Sequence, residues 1–208
     1  MTLLRTKPLS RIQTKNREKI KQAALTVFAE HGLRGATIDK IGEESGMTKP
    51  NILYYYGGKD EIYSDVLNGL LDVWLEPLKQ INEHGNPRDE ILNYVLRKLK
   101  MSQTRPLESK LFATEILHGA PLTRQILGTS LKELVDEKVE LIQSWADRGA
   151  IANVDGYHLL FSIWSMTQHY ADFDIQVKAI LSHQNDTEIY ASAEEFLISF
   201  FTRALSKT

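Results

Sequence analysis

Apolar residues recur at helical spacing along almost the whole chain, and the two-residue alternation of half-buried strands finds no convincing match. One stripe at positions i, i+3, i+4, i+7 and i+8 consists of Ile20, Ala23, Ala24, Val27 and Phe28. This stripe ends at Gly32, a residue type that commonly terminates helices. A second, longer stripe runs from Ile62 to Leu78. Glycine and proline clusters separate the later segments. The pattern predicts an all-α fold with about nine helices.

The sequence predicts a packed protein with two parts. Hydrophobic residues make up 42% of the 208 residues and charged residues 25%, so a packed core is expected. A long fourth helix follows Gly57-Gly58, and the natural boundary lies near its start. We therefore expect an N-terminal three-helix domain at 1–58 and a C-terminal helical domain at 59–208, with the fourth helix belonging to both parts. Cysteine is absent and no run of about 18 apolar residues occurs, so we expect a cytoplasmic protein without disulfides or membrane spans.

Charge is distributed unevenly between these parts. Residues 1–60 contain 11 Lys and Arg against 6 Asp and Glu, whereas the remainder contains 14 against 21. Seven of the bases lie within the first 21 residues, which form a basic arm. A basic arm before a small helical unit suits a polyanionic partner, although charge alone is equally compatible with a solvated terminus.

The segment from Thr37 to Tyr56 predicts two short helices that meet at Gly46. Glycine can adopt the left-handed conformation that such a turn requires, and Thr37 and Thr48 are predicted N-caps. The second helix presents a polar face formed by Thr48, Lys49, Asn51 and Tyr55. Such groups can donate to phosphates and base edges in a major groove. The residues alone favour a DNA-binding helix-turn-helix over an ordinary helical hairpin.

This segment resembles the DNA-binding signature of the TetR family. The resemblance rests on Ile41-Gly42, Gly46-Met47-Thr48, Tyr54-Tyr55-Tyr56 and Lys59-Asp60-Glu61-Ile62. It implies that the second helix reads operator DNA, with base or phosphate contacts from Thr48, Lys49 and Asn51. It also implies phosphate contacts from Tyr55 and Lys59, and a backbone anchor at Thr37.

The resemblance implies core positions for Tyr54 and Tyr56. The chain departs from the usual pattern at Leu53, where an aromatic residue is common, and at Gly42 and Ser45, where alanines are typical.

Two tryptophan-containing segments of the second part suggest a ligand site. Trp74 precedes Pro77, which lacks an amide hydrogen and leaves a helical carbonyl free, as a cavity wall could use. These residues alone nevertheless favour a plain core tryptophan in a bent helix. Gln168 follows Trp164 by one turn on an otherwise apolar and aromatic helix. An unsatisfied buried amide costs roughly 1–3 kcal/mol, and its adjacent donor and acceptor match a flat heterocyclic amide. The alternative, in which Gln168 and His169 lie in a helical dimer interface, stays equally open.

The second part resembles the pyrimidine-utilisation (RutR-like) regulators of the TetR family. The resemblance rests on residues 71–79, 111–121, 136–138 and 163–173. It implies a repressor of pyrimidine catabolism that uracil or thymine releases from a palindromic operator. It implies a pocket lined by Trp74, Trp164 and Gln168, with Phe112 as a wall and Glu115 as a weaker candidate. As a hypothesis, we expect a homodimer in which the last two long helices, at about 156–181 and 187–206, pair as a four-helix bundle.

Other functions fit the sequence less well. A TetR-family repressor with a more lipophilic effector is the nearest alternative. An enzyme is disfavoured, because the six histidines form no metal-ligand pair with an acid between them, and neither a phosphate-binding glycine loop nor a serine nucleophile elbow occurs. We expect no metal and no cofactor. A purely structural helical scaffold leaves the basic arm and the helix-turn-helix unexplained.

Overall fold

A computed structural model describes residues 10–207, and this part of the chain is helical with no β-strand. The first helices are α1 (Arg11–Gly35), α2 (Ile38–Ser45), α3 (Lys49–Tyr55) and α4 (Lys59–Lys79). They are followed by α5 (Pro87–Thr104), α6 (Pro106–Leu117), α7 (Arg124–Ile126) and α8 (Lys132–Asp147). The last are α9 (Gly156–Asp172), α10 (Asp174–Ile180) and α11 (Asp186–Ala204). A π-helical turn at Leu127–Leu131 joins α7 to α8. The all-α prediction is confirmed.

Local chemistry sets the ends of the first helices. Ser10 and Gln13 form a capping box at the start of α1. The regular helix breaks at Gly32, whose φ of 64° is left-handed, as the stripe of apolar residues predicts. The Thr37 side chain accepts a hydrogen bond from the amide of Lys40 and caps α2. Of the predicted basic arm, Arg5 and Lys7 lie outside the described residues.

The turn between α2 and α3 depends on two glycines. Gly46 has φ 61° and ψ 31°, and its amide donates to the carbonyl of Glu43. The amide of Met47 donates to the carbonyl of Gly42 at 3.0 Å. A Cβ atom at position 42 would lie 2.8 Å from the Met47 carbonyl oxygen, so a side chain at this position would require the turn to shift. The two glycines thus allow the close approach that defines the helix-turn-helix.

The chain divides into two compact units, Met1–Gly69 and Leu70–Thr208. The division falls inside α4, whereas the domain boundary expected at 58/59 lies at the start of that helix. Helix α4 therefore contributes its first half to one unit and its second half to the other. In the first unit, α1 packs on α2 around Ile20, Phe28 and Ile41, which are all buried.

The core of the second unit is formed by α5, α8, α9 and α11. Its members include the fully buried residues Trp145, Val95, Ile163 and Leu205. The N-terminal ends of these helices are capped where the sequence supplies side-chain acceptors, by Asn86 for α5, Asp155 for α9 and Asn185 for α11. No helix within residues 10–207 is long and apolar enough to cross a membrane.

Candidate DNA-reading surface and ligand cavity

The N-terminal end of α3 presents the predicted polar face. Thr48, Lys49 and Asn51 are all exposed. Thr48 occupies the N-cap position but its side chain makes no capping hydrogen bond, so its hydroxyl is free to contact another molecule. Lys49 forms an ion pair with Asp39 of α2, with 2.9 Å between Nζ and Oδ2. At this exposure such a pair contributes little to stability, so the Lys49 ammonium can leave it at small cost.

The other predicted DNA-binding residues make hydrogen bonds within the first unit. Thr37 is exposed and caps α2. The half-buried Tyr55 hydroxyl accepts a hydrogen bond of 2.8 Å from the Asn16 amide of α1. The Lys59 ammonium donates to three carbonyl oxygens near the end of α1, those of Leu33, Arg34 and Ala36. These three bonds match the three donors of a lysine and satisfy carbonyls left open at the end of the helix.

Tyr54 and Tyr56 have opposite environments. Tyr56 is buried, as the resemblance implies, but Tyr54 is 71% exposed, so the expectation of a core position for Tyr54 is wrong. Ile52 takes the inward face of α3, and Tyr54 lies two residues beyond it, on the outward face. The Tyr54 hydroxyl accepts a hydrogen bond of 3.4 Å from Gln13, and its ring packs edge-on against Tyr55. An exposed aromatic therefore adjoins the polar face.

A compact polar network holds α3 against α1 and α4. Asp65 accepts hydrogen bonds through Oδ2 from Arg17, at 2.9 Å, and from the Tyr56 hydroxyl, at 2.7 Å. The Arg17 guanidinium lies 4.4 Å from the centre of the Tyr56 ring. Burial works to raise the pKa of Asp65, but the two hydrogen bonds outweigh it and lower the pKa below its ordinary value. Every polar group in this network has a partner.

In the second unit the four predicted ligand-binding residues line one cavity of about 50 Å³. The walls come from α4, α5, α6, α9 and the π-helical turn. They comprise Leu71, Trp74, Leu75, Leu78, Tyr94, Lys98, Phe112, Leu131, Trp164 and Gln168. Trp74, Phe112, Trp164 and Gln168 thus meet, although 94 residues separate the first from the last in sequence.

The polar groups of this cavity are only partly satisfied. The Trp164 indole donates to the Tyr94 hydroxyl at 2.6 Å, which leaves the hydroxyl proton of Tyr94 free to donate elsewhere. The buried indole N–H of Trp74 has no hydrogen-bond partner within the described residues. Gln168 is half-buried, and its amide likewise makes no hydrogen bond within residues 10–207. A guest with carbonyl and N–H groups would satisfy these side chains.

Sequence reasoning missed two polar residues of the cavity, Tyr94 and Lys98. Lys98 is only 2% exposed, and its Nζ lies 4.5 Å from the centre of the Trp74 ring. Burial lowers the pKa of Lys98 to about 7, although the negative charge of Asp172 works to raise it. The sequence did contain a signal, because Lys98 lies four residues after Tyr94 and seven after Ile91, on the inward stripe of α5.

Glu115 does not line the cavity. Its buried carboxylate accepts hydrogen bonds from the amides of Leu122 and Thr123 and so holds the loop that follows α6. That loop contains Ala120, whose φ of 55° is left-handed. Within residues 10–207, no three His, Asp or Glu side chains come together as they would to hold a metal ion.

The last helices expose a band of large apolar side chains. Phe161 of α9 and Phe196 and Phe200 of α11 are each more than 40% exposed. The Phe196 and Phe200 rings stack on each other with their centres 6.0 Å apart. Apolar exposure on this scale is typical of a protein–protein interface.

Comparison with known proteins matches both units to families of regulators. Residues 20–66 match the family described as "Bacterial regulatory proteins, tetR family". Residues 67–208 match the one described as "YcdC-like protein, C-terminal region". The chain is 41% identical over 181 residues to the HTH-type transcriptional regulator RutR of Escherichia coli strain K12, covering 87% of this chain and 85% of RutR.

Two solved structures share the fold at low sequence identity. The ketosteroid transcriptional regulator KstR2 of Mycobacterium tuberculosis has a TM-score of 0.71 at 16% identity, covering 97% of this chain and 98% of KstR2. AibR in complex with isovaleryl coenzyme A and operator DNA has a TM-score of 0.68 at 16% identity, covering 89% of this chain and 97% of AibR.

Proposed function

The chain belongs to the TetR family of bacterial regulatory proteins, and on that premise we propose that it is a repressor of pyrimidine catabolism released from its operator by uracil or thymine. It is a DNA-binding transcriptional regulator, and the prediction of a regulator rather than an enzyme is confirmed by its relatives. The observation that carries the finer proposal is the cavity in which Gln168 and two tryptophans meet.

We propose that DNA binds across the exposed end of α3. Thr48, Lys49 and Asn51 are exposed together there and would contact base edges and nearby phosphates. Thr37 and Tyr55 would contact the phosphate backbone, and Lys59 would add positive charge beside it. The phosphate contacts would position the protein on the duplex, and the contacts of the exposed α3 face would read the base sequence.

The chemistry of the cavity supports a pyrimidine base as the effector. The Gln168 amide can accept from a ring N–H and donate to the adjacent carbonyl of uracil or thymine. The flat walls of Trp74 and Trp164 suit a planar ring. Because Phe112 and several leucines exclude water, each polar contact gains strength and each mismatch becomes costly.

The size of the cavity argues against a large lipophilic effector. Drug-sized ligands occupy pockets of roughly 300–1,000 Å³. The cavity here measures about 50 Å³, which a small heterocycle could fill with modest adjustment of its walls. An extended acyl or drug-like molecule would require these helices to separate.

The exposed apolar band on α9 and α11 supports a homodimer. Two copies joined there would present two α3 helices, so the operator would be an imperfect palindrome. Helix α4 carries cavity residues in one unit and Asp65 in the other, and would transmit the effect of the ligand. Moving a population from 1:99 to 99:1 requires a ligand preference of about 5.5 kcal/mol for the DNA-incompetent form.

Calorimetric titration with uracil, thymine and cytosine tests the effector. Cytosine presents an amine where uracil has a carbonyl, so the donor-rich cavity should bind uracil and thymine and discriminate against cytosine. A duplex selected by this protein from a random pool should then be released by uracil. Heat changes equal for all three bases, or release by long-chain acyl compounds instead, would contradict the proposal.

A further inference from the structure

Lys98 is an unusual residue to find in an apolar cavity. It is 2% exposed, lines the cavity, and makes no hydrogen bond or ion pair within the described residues. Its ammonium lies over the Trp74 ring at 4.5 Å. A buried lysine without a hydrogen-bond acceptor costs free energy, and methionine would fill the same space at no such cost. The Trp74 ring and the charge of Asp172 both favour the ammonium but accept no hydrogen bond from it, so an acceptor on a guest would lower this cost.

The polar groups around the cavity are mostly donors. Lys98, Tyr94 and the Trp74 indole can each donate a hydrogen bond, and Tyr94 has already accepted one from Trp164. Gln168 adds two donors and supplies the principal acceptor. A matching guest would accept at several oxygen or nitrogen atoms and donate from only one N–H. Neutral uracil, with two N–H groups, has one donor more than that pattern.

Few charges on the surrounding helices face Lys98. Asp172 of α9 interacts with it by charge, and that carboxylate already accepts from Ser109 at 2.5 Å and is near His169 and Lys110. Burial raises the pKa of Asp172, against the hydrogen bond from Ser109. Tyr94 is the other titratable residue of α5 that lines the cavity, and α4 contributes only uncharged side chains to it. An anionic guest would therefore meet one ammonium and no carboxylate in the wall.

We propose that the cavity binds planar cyclic imides while Lys98 is in its charged form. Imides with an acidic ring N–H then bind as anions, and they bind more tightly than uracil. This rests on the proposed function, since it concerns the same cavity. For such an imide the ring N–H gives its proton to the neutral Lys98 amine, and the resulting ammonium pairs with the imide anion. For neutral uracil, the proton on Lys98 comes from solvent.

6-Azauracil is the probe that isolates the effect of the acidity of the ring N–H on binding. It replaces one ring C–H of uracil by nitrogen, so it keeps the outline of uracil but has a more acidic N–H and is substantially anionic at pH 7. We expect the wild-type protein to bind 6-azauracil about tenfold more tightly than uracil, because a charge-assisted hydrogen bond is stronger than a neutral one. Lys98→Met should abolish this preference. Lys100→Met, on the exposed side of the same helix, should retain it.

Proton uptake provides a second measurement that needs no variant. At pH 8 the amine of Lys98, with its pKa of about 7, is mostly neutral in the free protein. Uracil binding should then take up about one proton, seen as a difference in heat between buffers of unlike ionisation enthalpy. As the pH rises further, uracil affinity should fall, because protonating the amine becomes harder.

The outcomes separate this inference from the proposed function. Equal binding of uracil and 6-azauracil by the wild type, a preference that survives in Lys98→Met, or uracil binding without proton uptake would each overturn the inference and leave a uracil sensor standing. Failure of the wild-type protein to bind either base would overturn both. If Lys98→Met fails to fold, the proton uptake of the wild type decides.

Discussion

The two units each contain a cluster of polar side chains, and the clusters differ in how fully those side chains are bonded. In the first unit, Arg17 and Tyr56 both donate to one carboxylate, that of Asp65, and the ring and guanidinium also pack together. In the second unit, the Trp74 indole and the amine of Lys98 have no hydrogen-bond partner within the described residues.

We expect this difference if the first cluster holds the fold and the second binds the proposed ligand. A satisfied network specifies one arrangement of α1, α3 and α4, because every change of position breaks a bond. Unsatisfied donors around a cavity cost stability, and a bound molecule that accepts hydrogen bonds from them would remove that cost. The following variants test whether the two clusters behave in these opposite ways.

The largest expected effect is that Lys98→Met stabilises the protein at pH 7, by about 3 kcal/mol, since it removes a buried amine and keeps its volume. The pKa of Lys98 in the folded state, about 7, lies below its ordinary value of 10.5. The unfolded chain therefore binds more protons between these values, and the free energy of unfolding of the wild type should rise across this window. Urea denaturation at pH 7 and pH 10 measures both effects. A variant less stable than the wild type at pH 7 would contradict the comparison.

Asp65→Asn should change stability in the opposite direction and lower the free energy of unfolding. It leaves the Arg17 charge without its carboxylate, and we expect a loss of about 2 kcal/mol, less than for a fully buried pair because both groups are partly exposed. Asp72→Asn, at an exposed position on the same helix, serves as the matched control. Urea denaturation at neutral pH is the measurement. Equal stability of the two variants would show that the network does not hold the fold.

Gln168→Ala should weaken uracil binding by about tenfold, the effect of losing a well-placed hydrogen-bonding group from an enclosed site. Stability should change little, because the amide makes no hydrogen bond within the described residues of the free protein. Calorimetry reports the affinity, with Gln176→Ala, an exposed glutamine on α10, as the control. Unchanged affinity in Gln168→Ala would remove this residue from the ligand site.

The smallest effect is expected for Lys49→Ala. Losing one phosphate contact should reduce DNA affinity a few-fold and lower the slope of log affinity against log salt concentration by about 1. Uracil affinity should stay the same. Fluorescence anisotropy at several salt concentrations checks this, with Lys132→Ala in the second unit as the control. A salt slope equal to that of the wild type would exclude a phosphate contact from Lys49.

Sequence patterns located the helix-turn-helix well because its constraints are local. Gly46 and the cap at Thr37 act within a few residues, so spacing reveals them. Thr48 occupies the predicted N-cap position, but its side chain makes no capping hydrogen bond. The cavity of the second unit is different, since Trp74 and Gln168 meet only through the fold. Resemblance brought these two together, whereas the residues alone left a dimer interface open for Gln168.

Lys98 escaped detection because a charged residue on a helix is normally solvated. Its position on the inward stripe of α5 nevertheless predicts burial, and the side chain is indeed buried. Tyr54 was assigned to the core because it matches the family pattern at that position. In this chain Ile52 and Tyr56 occupy the inward side, so Tyr54 faces outward.

The three tryptophans allow the most direct test of the claim that unpaired donors beside the cavity await a guest. Trp74 and Trp145 both have buried indole N–H groups without a partner in the described part of the chain, but only Trp74 lines the cavity, while Trp164 bonds to Tyr94. In a ¹⁵N-indole NMR titration with uracil, the Trp74 and Trp164 signals should shift and saturate together, and that of Trp145 should stay in place. Signals that do not move, or a Trp145 shift equal to that of Trp74, would contradict the account.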